Sequence, residues 1–176
     1  MPVNQGYGFG ILSGLNHASG EIIGWTHADM QTDPLDVLES LKLFQQAENP
    51  ERIFTKGWRY GRPVSDTFFT AGMSVFESVL MGQILRDVNA QPTMFHRTFF
   101  EGLNDPPHDF SLDLYAYAMA NKKGLKVLRH RVHFGEREHG QSSWNIDFAS
   151  KVKFIKRTLA YSFALRKDFS KPSGKA

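Results

Sequence analysis

Polar side chains with metal-binding chemistry follow a short apolar run near the start of the chain. Within residues 24–34, GWTHADMQTDP, the candidate ligands are His27, Asp29 and Gln31, which alternate along the sequence. Alternate side chains of an extended segment point to the same side, so these three can converge on one ion. Asp29 and Gln31 offer the oxygen atoms that Mg²⁺ and Mn²⁺ prefer, and His27 favours Mn²⁺ or an outer position. The alternative is a strand end with solvated polar residues, in which Asp33 caps the next helix.

Basic side chains in the segment KGWRYGR form a second candidate cluster. Arg59 and Arg62 carry planar guanidinium groups that match phosphate oxygens, and Lys56 adds a point charge. This pattern predicts a phosphate contact, and the alternative is a solvated basic turn after a strand.

Asp87 is a third candidate, because it follows a predicted helix whose dipole disfavours an acidic group at that end. A residue placed against that field often has another function. A turn-forming aspartate explains the same position equally well.

Apolar periodicity predicts three strands and five helices that position these residues. Because strands and helices alternate, the expected fold class is α/β, with a mixed, mostly parallel sheet flanked by helices. Polar residues at the strand ends of such a sheet lie where ligands bind. In the last helix, the expected apolar stripe consists of Phe148, Val152, Ile155, Leu159 and Phe163. The predicted strands cover residues 21–26, 52–57 and 125–134, and the predicted helices cover residues 11–19, 34–47, 72–85, 111–124 and 146–167.

Composition limits the class of protein. A chain of 176 residues with 41% hydrophobic and 22% charged residues suits one globular domain, expected over residues 1–167, with a disordered tail at 168–176. The chain has no cysteine, which excludes disulfides and thiolate metal sites. Because no apolar run approaches the roughly 20 residues of a membrane helix, we expect a cytoplasmic protein.

The net charge of +3 is unevenly distributed. After residue 150 there are eight Lys or Arg residues against one acidic residue, whereas the first 150 residues carry 13 basic and 17 acidic ones. A nucleic-acid-binding protein more often spreads its basic residues over its body, so no nucleic-acid partner is expected. The basic last helix could instead lie on a membrane surface, with Lys151, Lys153, Lys156 and Arg157 facing lipid headgroups. Packing of its apolar stripe on the sheet is the alternative.

Several motifs in this order resemble those of the family 2 glycosyltransferases, which have the GT-A fold, and in particular the dolichyl-phosphate mannosyltransferase-like and polyprenyl-phosphate sugar transferases. That family carries an Asp-x-Asp-x-Gln segment, to which His27, Asp29 and Gln31 correspond. Its usual leading Asp is His27 here. The family normally begins with a further nucleotide-binding segment, so the resemblance implies an N-terminally incomplete GT-A domain. The other matching segments are NQGYG at 4–8, KGWRYGR at 56–62, DVNAQPTMFHR at 87–97 and REHGQSSWN at 137–145.

The resemblance implies an inverting transfer of a sugar from a nucleotide-diphosphate sugar to an acceptor. A divalent ion, Mg²⁺ or Mn²⁺, held by His27, Asp29 and Gln31 would bridge the diphosphate. Asp29 and Asp87 are the implied catalytic residues, and Asp109 or Asp113 is a candidate base, although capping of a helix is the alternative for Asp109. The implied substrate-binding residues are Lys56, Arg59, Arg62, Gln91, Arg137 and Ser142, the last two in a mobile loop that grips acceptor phosphate.

The implied acceptor is a polyprenyl phosphate or a glycan, which fits a location at the cytoplasmic membrane surface. A different class of function stays open, namely an inactive or partner-dependent fragment that acts as a binding module. A metal-dependent hydrolase built on His27 and Asp29 is a third, weaker alternative, because it needs further ligands that the sequence does not place.

Overall fold

The structure, a computed structural model, describes residues 5–29, 31–135 and 148–170; for residues 148–154, 168 and 170 it describes the backbone only. The predicted loop with Arg137 and Ser142 lies outside the described residues. So do Asn4 of the first motif and the final six residues of the predicted tail.

The described chain forms six α-helices, four strands and one short 3₁₀ helix at Pro50–Arg52. The helices are α1 (Tyr7–His17), α2 (Asp36–Gln45), α3 (Val64–Met81), α4 (Arg97–Glu101), α5 (Leu112–Lys122) and α6 (Phe148–Ser170). The strands are β1 (Ile22–Trp25), β2 (Ile53–Tyr60), β3 (Thr93–His96) and β4 (Lys126–His133).

The four strands make one mixed sheet in the order β1-β3-β2-β4. The parallel pair β2–β4 runs in continuous register from Ile53 opposite Lys126 to Tyr60 opposite His133. Strand β3 is antiparallel to both of its neighbours. The α/β class is therefore confirmed, but the sheet is not mostly parallel, because two of its three pairings are antiparallel. The prediction missed β3, whose four residues are too few to show a period.

This topology brings several chain ends to one edge of the sheet. Trp25 at the end of β1 and Lys56 in β2 both lie opposite Thr93, the first residue of β3. Since β1, β2 and β4 run the same way, the segments that follow them leave the sheet at this edge, and the segment that leads into β3 arrives there. Residues from four distant parts of the sequence therefore meet at one site.

Aromatic side chains fill the core under the sheet. Phe54 of β2 stacks on Phe95 of β3 and on Tyr117 of α5, and Phe99 packs edge-on against Phe54. Helix α5 is buried along nearly its whole length, from Leu112 to Ala118. The core thus fixes the sheet to α5, which carries one of the buried acidic residues described below.

Several element boundaries differ from the predicted ones. Helix α1 begins at Tyr7, four residues earlier than predicted. Helix α3 starts eight residues earlier than predicted, at Val64, and ends at Met81, where Gly82 adopts a left-handed conformation with φ 64°. Strand β2 is longer than predicted and includes Arg59. Strand β4 and helix α5 lie within one or two residues of their predicted bounds.

Helix α6 packs through a face rotated from the predicted stripe. Ser162 and Leu165 are buried, whereas Phe163, expected in the stripe, is exposed. The helix also continues through Ser170, into the segment predicted as a disordered tail. None of the helices in the described residues is long and apolar enough to cross a membrane.

Gly57 offers a test of how closely β2 approaches the segment before β3. A Cβ atom at position 57 would lie 2.2 Å from the carbonyl oxygen of Gln91 and 2.9 Å from Val132 Cγ2. We expect Gly57→Ala to lower the free energy of unfolding by about 1–3 kcal/mol, because backbone atoms must shift. In the matched variant Gly14→Ala, a Cβ in helix α1 meets nothing within 4 Å.

That control should gain about 0.5–1 kcal/mol, since alanine is the better helix former. Urea unfolding of both variants measures the difference. Equal stability of the two would contradict the close approach of β2 to Gln91.

Candidate functional site

Arg59 and Asp87 form a tightly bonded pair at the site edge of the sheet. The Asp87 carboxylate accepts hydrogen bonds from the Arg59 backbone N–H at 3.1 Å, from Nε at 3.0 Å and from Nη2. Arg62 Nη2 lies 3.8 Å from the same carboxylate. The Asp87 backbone N–H donates to Ser74 Oγ of α3 at 2.9 Å, and Asp87 itself has a left-handed φ of 45°. The pair therefore joins β2 to the loop before β3.

The charge state of Asp87 follows from these neighbours. Burial alone would raise the pKa of its carboxyl, but the hydrogen bonds and charge of Arg59, with the charge of Arg62, hold that pKa below its ordinary value. Asp87 is therefore an ionised group that orients two arginines. The helix-dipole argument for Asp87 is wrong, because α3 ends at Met81 and Asp87 lies in the following loop.

Lys56 and Asp113 form a second pair, which is fully buried beneath the first. Lys56 Nζ donates to Thr93 Oγ1 at 2.9 Å and lies 3.7 Å from Asp113 Oδ1. Asp113 also accepts from Tyr7 Oη at 2.8 Å and from Trp25 Nε1 at 3.3 Å. Burial lowers the pKa of Lys56 to about 8, an effect that the charge of Asp113 opposes. Since Lys56 has no exposed surface, its ammonium group cannot touch a diphosphate in this conformation.

Gln91 extends this buried network. Its Nε2 donates to Tyr7 Oη at 2.5 Å, and its side chain is almost fully buried. Burial raises the pKa of Tyr7, and the charge of Asp113 raises it further, so the phenol stays protonated and donates to Asp113. The predicted acceptor contact of Gln91 stays a prediction, and the observed contact is structural.

The loop after β1 departs from the extended geometry on which the metal prediction was based. The strand ends at Trp25, and the chain bends at Ala28 and Asp29. Asp29 Oδ1 accepts the Gln31 backbone N–H at 3.3 Å, and Gln31 Nε2 donates to the carbonyl of Gly135 at 3.3 Å. The prediction that these three side chains alternate along an extended segment, and so point to the same side, is therefore wrong. The assignment of His27, Asp29 and Gln31 to a metal stays a prediction.

His27 of this loop shares an aromatic neighbour, Phe134, with Arg59. Its ring packs edge-on against Phe134, with ring centroids 5.6 Å apart, and Arg59 lies over the same Phe134 ring at 5.1 Å. Burial lowers the pKa of His27; Asp29 and Asp113 oppose this shift, whereas Arg59 and Lys56 add to it. The imidazole is therefore neutral near neutral pH, as a metal ligand must be.

The donor atoms of this loop fit a divalent cation in part. Within the described residues, His27 Nε2 is buried without a hydrogen-bond partner, and the half-buried carboxylate of Asp29 lies two residues away. No group of three or more His, Asp or Glu residues in the described chain could hold an ion by itself. Mg²⁺ is usually held by one or two carboxylates, waters and substrate phosphates, so Asp29 fits such a site and the imidazole of His27 does not.

A small cleft of about 80 Å³ lies beside the Arg59–Asp87 pair. Helix α3 contributes Ser74 and Glu77 to its wall, and α6 contributes Thr158. Glu77 is almost fully buried; its Oε1 accepts from Ser162 Oγ at 2.7 Å, and its Oε2 has no hydrogen-bond partner in the described part of the chain. Burial raises the pKa of Glu77, and the hydrogen bond from Ser162 only partly offsets this.

Neither Glu77 nor the Tyr7–Asp113 contact was predicted from the sequence. The sequence does contain a signal for buried charges, namely a charged residue inside an apolar pattern. Lys56 interrupts a strand in this way, and Asp113 interrupts a helix that is otherwise apolar. Asp109, the other candidate base, accepts the Ser111 backbone N–H at 2.9 Å in the turn before α5. The N-cap position of α5 is Ser111, without a side-chain capping bond, so the alternative in which Asp109 caps the helix is wrong.

Two solved structures share the fold of this chain. Both are glucosyl-3-phosphoglycerate synthase from Mycobacterium tuberculosis, one in complex with phosphoglyceric acid and one with uridine-diphosphate. The first is 15% identical with a TM-score of 0.69, and the second is 17% identical with a TM-score of 0.66. Each match covers 99% of this chain and 58% of the other, so this chain spans less than two thirds of the matched protein.

The described architecture is therefore a GT-A glycosyltransferase fold, as the resemblance implied. No family model and no curated protein matches the chain. The matched structures do not support the dolichyl-phosphate mannosyltransferase subgroup, which stays a prediction.

Removing one partner of the buried pair should be far more costly than replacing both. We expect Lys56→Met to lower the free energy of unfolding by about 3–5 kcal/mol, because it leaves the Asp113 carboxylate buried without its cation. The double variant Lys56→Met/Asp113→Asn should cost less than Lys56→Met alone, since the amide oxygen of Asn still accepts from Tyr7. Urea unfolding in a double-mutant cycle gives the coupling energy. Additive effects would show that the pair is not coupled.

Glu77 should make stability depend on pH. Because its pKa is raised in the folded state, the folded chain binds more protons than the unfolded chain above the ordinary pKa of a glutamate, and stability falls as pH rises through the folded pKa. We expect Glu77→Gln, which cannot titrate, to gain stability relative to the wild type as the pH rises from about 5 to about 8.

Ser162→Ala is the matched control for Glu77, because it removes the donor that lowers the Glu77 pKa. It should destabilise the protein more at the higher pH, and this difference should vanish in the Glu77→Gln background. Thermal unfolding at the two pH values measures both effects, and a pH-independent gain for Glu77→Gln would contradict the assignment.

Proposed function

We propose that this chain belongs to an inverting glycosyltransferase that transfers a sugar from a nucleotide-diphosphate sugar to an acceptor, with Mg²⁺ or Mn²⁺. The observation that carries this proposal is that the GT-A sheet brings three features to one edge: the His27–Asp29 loop, Arg59 of β2 with Arg62 just after it, and a cleft beside Arg59. A donor that combines a diphosphate with a sugar needs these three elements side by side: a cation site, positive charge and an adjacent cavity.

The donor diphosphate is proposed to lie across the ends of β1 and β2. One of the two solved relatives of the fold is a complex with uridine-diphosphate, so a uridine nucleotide is the first donor to test. Arg62 Nε is buried without a hydrogen-bond partner among the described residues, and Arg62 is held in place by its bond to Thr70 Oγ1 at 3.0 Å. Arg59 and Arg62 supply the charge that stabilises a departing diphosphate. Lys56 lies beneath these arginines, and its buried ammonium group adds to the positive electrostatic potential at the diphosphate.

The cation is proposed to bind between His27 Nε2 and the Asp29 carboxylate, with the diphosphate completing its coordination. The nitrogen of the Gln31 amide bonds to Gly135, so only its oxygen could serve as a third ligand. When bound, the ion would neutralise negative charge that develops on the leaving group.

The acceptor is proposed to enter the cleft beside Arg59 and to attack the anomeric carbon from the side opposite the diphosphate. An acceptor phosphate, as in a polyprenyl phosphate, is already anionic and needs little help from a base. A hydroxyl acceptor, as in a glycan or a small acid such as the phosphoglyceric acid bound by the other relative, needs a proton acceptor. Asp87 is ionised but engaged by two arginines, so we assign it the role of orienting Arg59.

A lipid acceptor would agree with the predicted contact of α6 with a membrane. Lys156 and Arg157 are exposed, as that contact requires, although Arg157 Nε also lies 3.9 Å from Asp109 Oδ2. The lipid acceptor and this contact remain part of the proposal. The alternative function is a binding module without activity.

Binding of uridine diphosphate tests the proposed site directly. With Mn²⁺ present, we expect calorimetry to detect binding that Arg59→Gln or Asp29→Asn weakens roughly 10- to 100-fold, because each removes one charge-assisted contact. The Asp29 variant should also lose the dependence on Mn²⁺. Arg52→Gln is the matched control, since Arg52 lies at the opposite end of β2 and bonds to the carbonyl of Gly124.

Binding that neither variant alters would place the nucleotide elsewhere and defeat the proposal. Nucleotide binding without sugar transfer, measured by mass spectrometry with uridine-diphosphate sugars and phosphate-bearing acceptors, would favour the binding module.

A further inference from the structure

Helix α3 presents an uncovered apolar face to the outside of the molecule. Val64, Phe68, Val75 and Val79 are 84%, 81%, 64% and 78% exposed. At 100° per residue these four positions fall within roughly 60° of arc, so they form one stripe. Ala71 and Gly72, also exposed, lie at the middle of the stripe. A contiguous apolar surface of this size is often an interaction site.

The stripe is symmetric about its own centre. Val64 and Val79 are equally far from the midpoint between Ala71 and Gly72, and so are Phe68 and Val75. In an antiparallel pair of α3 helices related by a two-fold axis at this midpoint, Val64 meets the Val79 of a second copy, and Phe68 meets its Val75. A large side chain therefore faces a smaller one, and small residues lie where the helices cross. This is the self-complementarity that an isologous interface requires.

Gly72 fits a close crossing at this midpoint. A glycine inside a helix is unfavourable relative to alanine. Within the described residues, a Cβ atom at position 72 would meet no atom within 4 Å, as is also the case for Gly10 and Gly14 of α1. In an antiparallel pair of α3 helices, the small residues at positions 71 and 72 would let the two backbones approach.

The charges of α3 favour a protein partner over a lipid surface. The helix contains no Lys or Arg, whereas a helix that lies on a membrane carries basic residues on its polar face. Its acidic residues, Asp66 and Glu77, lie on the side opposite the stripe. The stripe itself has no charge that would repel a second copy.

The area of the stripe is of the size that an interface core needs. Four aliphatic and aromatic side chains exposed to this degree offer on the order of 500 Å² per chain, against about 800 Å² per partner in a standard interface. Ile84, exposed just beyond the C-terminal end of α3, can add to the remainder.

We propose that this protein forms a homodimer through α3, with the two helices antiparallel across a two-fold axis beside Ala71 and Gly72. The proposal is independent of sugar transfer. It bears on the candidate site, because the opposite face of α3 carries Ser74 and Glu77 into the cleft wall. A dimer that clamps α3 from outside would hold that wall in place.

Sedimentation equilibrium of the full chain tests the dimer. The wild type should be dimeric at micromolar concentrations, and Phe68→Glu and Val75→Glu should each raise the dimer dissociation constant at least 100-fold. Leu38→Glu is the matched control, because Leu38 is a half-exposed apolar residue on α2, away from the stripe. Circular dichroism should show all three variants folded, since the altered side chains are exposed.

Cysteine cross-linking tests the antiparallel geometry. Because the sequence has no cysteine, any disulfide must form between the introduced residues. Gly72→Cys should form an intermolecular disulfide, because its two copies lie next to the axis. Val64→Cys alone should not, since its copies would lie about 22 Å apart along the helices. The double variant Val64→Cys/Val79→Cys should cross-link.

Three results would overturn the proposal. They are a monomeric wild type at 100 times the protein concentration of the first run, a dimer that survives both glutamate variants, and cross-linking of Val64→Cys without cross-linking of Gly72→Cys. Sedimentation of a monomer with vesicles of anionic lipid, lost in Phe68→Glu, would assign the stripe to a membrane instead.

Discussion

The buried ion pair between Lys56 and Asp113 is the constraint on which the site edge of the sheet depends. The carboxylate of Asp113 in α5 accepts from Tyr7 of α1 and Trp25 of β1, while Lys56 of β2 donates to Thr93 of β3. Five elements therefore converge on two charged groups that are shielded from solvent. Such a pair is costly to bury, and its value lies in fixing one arrangement, because any slip of a strand would leave a charge unpaired. Since the folded pKa of Lys56, about 8, is lower than that of a free lysine, the cost of keeping it charged is relieved as the pH rises from 8 towards the unfolded value.

Above this pair, the charges of the site are arranged in layers that differ in exposure. Asp87 pairs with Arg59 and lies near Arg62 at the sheet edge, so these three groups keep a net positive charge, and His27 lies beyond them against Phe134. The lower layers are closed and bonded, whereas His27 Nε2 and Arg62 Nε are buried atoms without a hydrogen-bond partner in the described residues. Unpaired buried polar atoms carry a free-energy cost, which a ligand that bonds to them would remove. In the proposed complex, the diphosphate would accept a hydrogen bond from Arg62 Nε and the cation would bind His27 Nε2.

Much of the fold was predictable because its long elements carry clear periods. Strand β4 and helix α5 have continuous patterns, and their bounds were nearly correct. Strand β3 could not be found, because four residues after Pro92 have no period and their pairing is set by distant partners. Lys56 was recognised by type and lies in the predicted strand, but its burial was not predicted, because only its buried partner explains a charged residue inside a strand. Arg59 was recognised by type but placed in the turn after that strand, whereas β2 continues to Tyr60. Glu77 and Tyr7 were missed because their partners, Ser162 and Asp113, are about 85 and 106 residues away in the chain.

Helix α3 connects the chemistry of the site to the surface of the molecule. Its inner face holds Ser74, which receives the Asp87 backbone N–H, and Glu77, which bonds to Ser162 of α6. Its outer face is the apolar stripe. A helix is rigid along its length, so a partner that displaces α3 from its outer face moves the contacts of Ser74 and Glu77 together. If a second copy covers the stripe, it restrains α3. The Arg59–Asp87 pair and the α6 wall of the cleft both contact α3, so both are then held in position by the same helix. The position of an acceptor relative to the diphosphate would then be set by the dimer as well as by the sheet.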